Sequence, residues 1–411
     1  MRSTAAKAVV AVAFLAIGGV AAAQIGVFNG VAQEDHESLE HVPDGVDSVA
    51  TLDVSVVEED VSTTLYAAAY NATVGASESD EESPVTATPG DEEDDDSDAF
   101  EDGAMTETSP AEMVPANLSA ALDETENQTG LDPRAADEVV MFNQQRNYSQ
   151  PQYSGAVVYA DWSEDDVIAA VSNSSDKEYE NTTVDGVTVY QPVENESDEE
   201  DELSFGPPEP EEWIAVLDEG EYVFGTQDAV NDTIDVAAGD AESVDGDLAS
   251  AYEETRDDGY LRYAQRSQNV NITEINRTMG QQTGLNVTAY AQAYNDLHVT
   301  SGSYYIAEDD TLGFESRILT NSTDTAQDVQ DITQGFISIQ AGAIQNETLE
   351  DQLRSTNVTR DGTTVTVTRE TSVDTAVTLI KWYGSILTDT GSTTGAATGS
   401  ASASATAEGT A

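Results

Sequence analysis

The chain has 411 residues and a mass of 43.5 kDa, enough for one large domain or two of ordinary size. Eighty Asp and Glu stand against 14 Lys and Arg, giving a formal charge of −66, so there is no basic stripe to hold a nucleic-acid backbone. Cysteine is absent, which excludes disulfides, zinc–thiolate sites, thiol catalysis and a lipid-bearing N-terminal cysteine.

The first 23 residues place Arg2 and Lys7 ahead of an apolar run and end in Ala21-Ala22-Ala23, the layout of a signal peptide cleaved after Ala23. In the competing reading the run continues to Phe28, so that residues 8–28 make up the ~20 residues a membrane anchor needs. Both put the remainder outside the cell. No twin-arginine pair is present, which favours the general secretory route. Residues 24–45 are expected to be a linker carrying His36 and His41.

A first α+β half is expected over 46–240. Residues 46–56 alternate like a strand and 61–70 have helical character. An acidic insert, 74–114, is expected to be a disordered surface loop. Strands follow at 138–142 and 153–161, then a helix from Ser163, whose hydroxyl caps the run SEDDVIAAV beside Trp162. TTVDGVTVYQPV, 182–193, predicts a hairpin with a type I′ turn at Asp185-Gly186. After a second acidic insert, 194–210, a hairpin is expected over 211–226 and a helix over 228–239, ended by Gly239.

A second half, 241–387, repeats this order: a strand at 259–265, a hairpin at 304–319, and a helix with Val329, Ile332, Phe336 and Ile339 on one face. An Asp361-Gly362 hairpin and a last helix lined by Val373, Val377, Ile380 and Leu387 complete it. The fold class is therefore α+β, with pseudo-duplicated antiparallel sheets each burying one face under helices. Residues 388–411, rich in Gly, Ser, Thr and Ala, form a low-complexity tail.

Acids also stud the periodic apolar segments, which marks a folded protein whose self-repulsion needs screening. Molar salt shortens the Debye length to roughly 3 Å and supplies it. The excess of Arg over Lys and the abundance of Asp, Ala, Val and Thr resemble haloarchaeal usage.

Fourteen of the eighteen asparagines open an Asn-x-Ser/Thr triplet: Asn71, Asn117, Asn127, Asn147, Asn173, Asn181, Asn195, Asn231, Asn271, Asn276, Asn286, Asn321, Asn346 and Asn357. Ser and Thr are about a fifth of the residues, so chance would place roughly three or four there. Asn is also a good turn former, but turn chemistry does not demand a hydroxyl two residues on. The excess points to N-glycosylation, and so to exposed positions.

Residues 213–264, with Gly225-Thr226, Ala229-Val230 and Gly239 as the matching points, resemble a segment of extracytoplasmic α+β proteins of bacteria and archaea whose activity is unknown. The resemblance covers about an eighth of the chain. It implies a secreted α+β domain and carries no functional residues with it.

No nucleophile elbow, phosphate-binding loop or dinucleotide fingerprint occurs. His36 and His41 lie five apart among carboxylates, and a solvated linker explains them better than a metal site, which needs four ligands held by a fold. His298 is expected on a strand. DGDLASAYEE, 245–254, lacks calcium-loop spacing, so diffuse cation binding is expected instead. Trp213, Tyr222, Tyr304, Tyr305, Phe314, Trp382 and Tyr383 fit core packing. The sequence thus favours a non-enzymatic, heavily N-glycosylated extracellular or cell-surface protein without a cofactor, partnered with envelope components. Its rivals are a binding protein for an apolar ligand or lipid, and a secreted hydrolase using two carboxylates.

Overall fold

The computed structural model describes residues 39–73, 115, 117–145, 152–175, 178–193, 212–267, 295–307, 311–344 and 346–381. Both acidic inserts and the C-terminal tail lie outside them. The described chain starts within the expected linker, yet Val42 and Val46 are fully buried. A strand β1 (Ser48–Asp53) follows, buried at all six positions. The strand expected over 46–56 is cut short because the Asp53 carboxylate accepts from Ser55 N–H at 2.8 Å and starts a 3-10 turn, Val54–Glu58.

Helix α1 (Asp60–Thr73) matches the periodicity, whereas helix α2 (Leu118–Thr129) was not anticipated. Its signal was present in punctuation: Asn117 caps the first turn by accepting from Ala120 N–H, and Gly130 ends the helix at φ 84°. Strands β2 (Ala136–Gln144) and β3 (Tyr153–Ala160) precede α3 (Glu164–Ser175), with Ser163 Oγ accepting from Asp166 N–H at 3.3 Å. Strands β4 (Tyr179–Val184) and β5 (Val187–Pro192) turn through Asp185 and Gly186, both at positive φ as a type I′ turn requires. β6 (Trp213–Asp218), β7 (Glu221–Gly225), α4 (Gln227–Ala237) and α5 (Gly246–Glu253) close the first run.

The second run holds β8 (Leu261–Arg266), β9 (Leu297–Ala307), β10 (Thr311–Thr320), α6 (Thr323–Ala343), α7 (Glu347–Arg354), β11 (Asn357–Asp361), β12 (Thr364–Ser372) and α8 (373–381). Its hairpin turns one residue later than expected. Asp361 pairs with Thr364, so Gly362 (φ 56°) and Thr363 are the central pair, with glycine first as in a type II′ turn. The stripe expected on α6 holds at Val329 and Ile332, which pack on the sheet, and fails in its second half. Ala326, Val329 and Ala341 are buried, while Phe336 and Ile339 are 57% and 60% exposed.

All the described strands join one antiparallel sheet in the order β11-β12-β10-β9-β8-β1-β2-β3-β7-β6-β5-β4. The order displays the duplication. In each run three strands form a meander, and a hairpin then returns its second strand beside the third: β1-β2-β3-β7-β6 in one, β8-β9-β10-β12-β11 in the other. β1 and β8 pair across the centre, with Leu52 opposite Leu261.

The centre is covered on both faces rather than on one. Neighbours along a strand split between two cores: Val139, Val158, Ile214 and Phe224 pack with α1, α2 and α3, whereas Val140, Val157, Ala215 and Val223 pack with α4 and α5. The near-continuous apolar runs VVMF, AVV and WIAV follow from this, since a strand buried on both sides has no solvent face to mark by alternation. Each fully buried Val, Ile or Leu contributes roughly 1.5–3 kcal/mol of transfer free energy.

Glycine sets two of the closest cross-strand contacts. Gly155 faces Phe142 and Gly313 faces Tyr305, and a Cβ at either would fall inside the opposing ring. Tyr305 lies flat over Gly313, its hydroxyl donating to Glu370 at 3.2 Å and the Arg256 guanidinium 3.8 Å above its ring. Gly313→Ala should lift the ring and lose both contacts, costing about 1–3 kcal/mol in urea unfolding. An unchanged midpoint would mean the ring is free to move aside.

Candidate functional site

Nine of the fourteen acceptor asparagines lie on described residues, and none is buried. Asn71, Asn117, Asn127, Asn173, Asn181, Asn321 and Asn357 are exposed, and Asn231 and Asn346 are half-buried. Inside helices, Asn71 and Asn127 donate Nδ2 to the carbonyls of Ala67 and Asp123 at 2.6 and 2.7 Å. At helix starts the opposite atom is used: Asn117 Oδ1 accepts from Ala120 N–H at 3.3 Å, and Asn346 Oδ1 from Thr348 N–H at 3.0 Å. That leaves the amide nitrogen, the atom a glycan takes, out of the cap. Asn321 follows β10 and donates to Asp296 O at 3.2 Å. Asn181 sits on β4 and Asn357 opens β11. Asn147, Asn195, Asn271, Asn276 and Asn286 lie outside the described residues, as do Ala23, residues 8–28 and His36.

His41 is not a solvated linker residue. Pro43-Asp44-Gly45 turns the chain, with Gly45 at φ 80°, and Val42 is fixed on both sides of its carbonyl: Val244 N–H donates to it at 2.8 Å and Asp44 N–H reaches Glu242 O at 3.2 Å. This strap brings His41 Nε2 to 2.9 Å from Glu221 Oε1, with side chains only 19% and 15% exposed. Glu221 belongs to a row across the sheet, because register sets it beside Tyr159 on β3 and Tyr159 beside Glu138 on β2. Burial, then the nearby Glu221 and Glu138 carboxylates, push the Tyr159 phenol far above its ordinary value, so it stays a neutral donor to Glu221.

The row brings two carboxylates, a phenol and an imidazole together, a set that resembles acid–base machinery. Glu138, however, is 1% exposed. The arrangement fastens the strap. The sequence carried a signal for it that was missed, since Val42 and Val46 flank a Pro-Asp-Gly turn.

Elsewhere His298, on β9 as expected, holds Asp247 at 2.6 Å between two exposed side chains. Arg262 lies over Tyr252 at 4.4 Å, and Tyr252 OH is 2.7 Å from Thr51 Oγ1 at the sheet centre. Tyr222 is fully buried and donates to Trp162 O, while Trp162 Nε1 donates to Asp132 O at 2.9 Å. Tyr305 is buried as well, and Trp213, Tyr304 and Phe314 are half-buried; Trp382 and Tyr383 lie outside the described residues. An open groove of about 380 Å³ runs between α6, α7 and β11, lined by Gln334, Ile337, Arg354 and Asn357 among others. Among the described residues, no three His, Asp or Glu converge to hold a metal, and no helix is long and apolar enough to cross a membrane.

No protein-family model and no curated protein sequence matches the chain. Two crystal forms of TP0453 are similar in structure. One has a TM-score of 0.42 at 8% identity and covers 85% of this chain, and the other 0.40 at 9% and 86%; all of TP0453 is spanned in both. At that level of likeness neither transfers a function to this chain.

The hydrogen bond to Glu221 holds His41 above its usual pKa against the opposing effect of burial, with the charges of Glu221 and Glu40 adding to the rise. A raised folded-state value means the fastening contributes fully below the unfolded value of about 6.5 and is lost as pH rises through the folded one. His41→Gln should therefore lower unfolding stability at pH 5.5 and match the wild type at pH 9, read from denaturant midpoints at constant salt. A gap that persists unchanged at pH 9 would refute the ion pair.

Proposed function

We propose that the chain is a non-enzymatic, N-glycosylated protein of the cell exterior, released or anchored through residues 8–28, acting among envelope components of an organism that lives in concentrated salt. The observation that carries the reading is the placement of the acceptors. Nine described asparagines in Asn-x-Ser/Thr triplets all reach solvent, although the fold buries many polar side chains, Thr51, Ser303 and Glu138 among them. None of the nine is buried, as attachment of a bulky, solubilising sugar requires.

The charge supports the same setting. Most described carboxylates lie on exposed helices and turns, where a diffuse cation atmosphere rather than a defined metal site offsets them. Among the described residues some basic groups pair with nearby carboxylates: Arg134 reaches Asp123 at 2.6 Å and Arg354 reaches Glu350 at 2.8 Å. Stability should fall on dilution from molar salt to about 10 mM, where the Debye length grows to roughly 30 Å. A melting temperature indifferent to salt over that range would remove the halophile reading.

The direct test is an intact mass spectrum of the protein purified from its own host. The expected result is a mass above that of the polypeptide, with glycopeptides at several of the named asparagines. Bare asparagines and a cytoplasmic location would overturn the proposal.

A further inference from the structure

An Asn-x-Ser/Thr triplet is an acceptor only as a unit, so the enzyme that transfers the sugar must engage the amide and the hydroxyl together. Extended backbone allows this, since residues i and i+2 point to one side of a strand. A helix does not, because two residues on means a rotation of about 200° around its axis.

The described triplets divide on this ground. Asn231 opens one in the middle of α4, and its Thr233 is fully buried, with Oγ1 donating to Ala229 O at 2.9 Å. Stretching residues 231–233 would draw Val230 and Ile234, both fully buried, out of the core. Asn127 opens one at the end of α2, where helices usually fray, but this end is pinned. Thr129 is 8% exposed, its hydroxyl donates to Thr125 O at 2.7 Å and accepts from Leu131 N–H at 3.2 Å, and Leu131 is itself buried. Two of the remaining triplets are extended instead. Asn181, Thr182 and Thr183 are consecutive exposed residues of β4, with Asn181 and Thr183 on one face. Asn321 and Thr323 flank Ser322, which is extended at φ −156° and ψ 158°, and all three are exposed.

We infer that folding closes Asn127 and Asn231 to glycan transfer and leaves Asn181 and Asn321 open, so that a sugar at either helical site is attached before α2 and α4 form. This rests on the glycosylation proposed above. Solvent at the asparagine is not enough, because the hydroxyl that completes the triplet is held in the core. In the transfer, Nδ2 bonds to C1 of a phosphate-activated oligosaccharide, the bond from C1 to the phosphate oxygen breaks with its electron pair going to the phosphate, and one amide proton leaves. A chain glycosylated at Asn127 or Asn231 has therefore met the transferring enzyme unfolded.

The test uses the full-length chain made without glycans, folded in molar salt and checked by circular dichroism. It is incubated with membranes of the native host, which carry the transferring enzyme and its activated sugar. A second reaction takes the same protein cut by trypsin, which cleaves after Lys and Arg and leaves all four triplets whole. Glycopeptide analysis of the folded chain should find Asn181 and Asn321 occupied, and Asn127 and Asn231 about tenfold less so or lower, because they react only from rare opened states. The tryptic fragments should be modified at all four. Transfer to Asn127 or Asn231 of the folded chain as readily as to Asn181 would overturn the inference. So would fragments bare at Asn127 or Asn231, since the fold would then not be what withholds them, or a folded chain bare at Asn181 and Asn321 beside modified fragments. Both reactions free of glycan, with membranes that modify another secreted protein, would overturn the proposed function as well.

Discussion

β1 holds the two runs of the chain together. Six residues, buried at every position, hydrogen-bond to β2 on one side and to β8 on the other, and without them the sheet would be two separate pieces. Both pairings are long-range: Leu52 faces Val139 and Leu261. The strand therefore depends on closures of large loops, whose entropy must be offset by burial on both of its faces. Thr51, fully buried in the middle, satisfies its hydroxyl with Tyr252 of α5, which ties one helical layer to the same seam.

Around that seam the molecule separates charge from core. The two main cores are built from Val, Ile, Leu, Ala and aromatic side chains, and the carboxylates are left to helix surfaces and turns. Asp53 and Glu138 are buried exceptions, and Glu138 lies in a row with Tyr159 and Glu221, the carboxylate that fastens the strap through His41. Among the twelve described strands, β4 and β11 stand last in the order, and those are the two on which Asn-x-Ser/Thr triplets start.

Much of the fold was legible because its punctuation is local. Ser163 before SEDDVIAAV, Asp185-Gly186 in its hairpin and Gly239 after α4 each act through bonds or dihedrals within a few residues. The errors arose where a second element decided the outcome. Asp361-Gly362 looked like Asp185-Gly186, yet the register of β12 moved the turn to Gly362-Thr363. Phe336 and Ile339 looked like core positions, but the sheet meets α6 along Ala326, Val329, Ile332 and Ile337. α2 escaped notice because eight of its twelve residues are polar or charged and its apolar face is narrow.

The sequence by itself determined the composition, the absence of thiol chemistry, the acceptor triplets and most strands and helices, since each is a property of neighbouring residues. Tertiary structure alone decided which strands became centre and which became edge, that Glu138 is sealed while His41 is clasped, and that Asn181 and Asn357 stand at opposite ends of one sheet. A strand's partners are set by hydrogen bonds to residues far along the chain. No local pattern encodes them, so whether an asparagine that is plain as a triplet falls at the centre or the end of a sheet is settled only when the strands have paired.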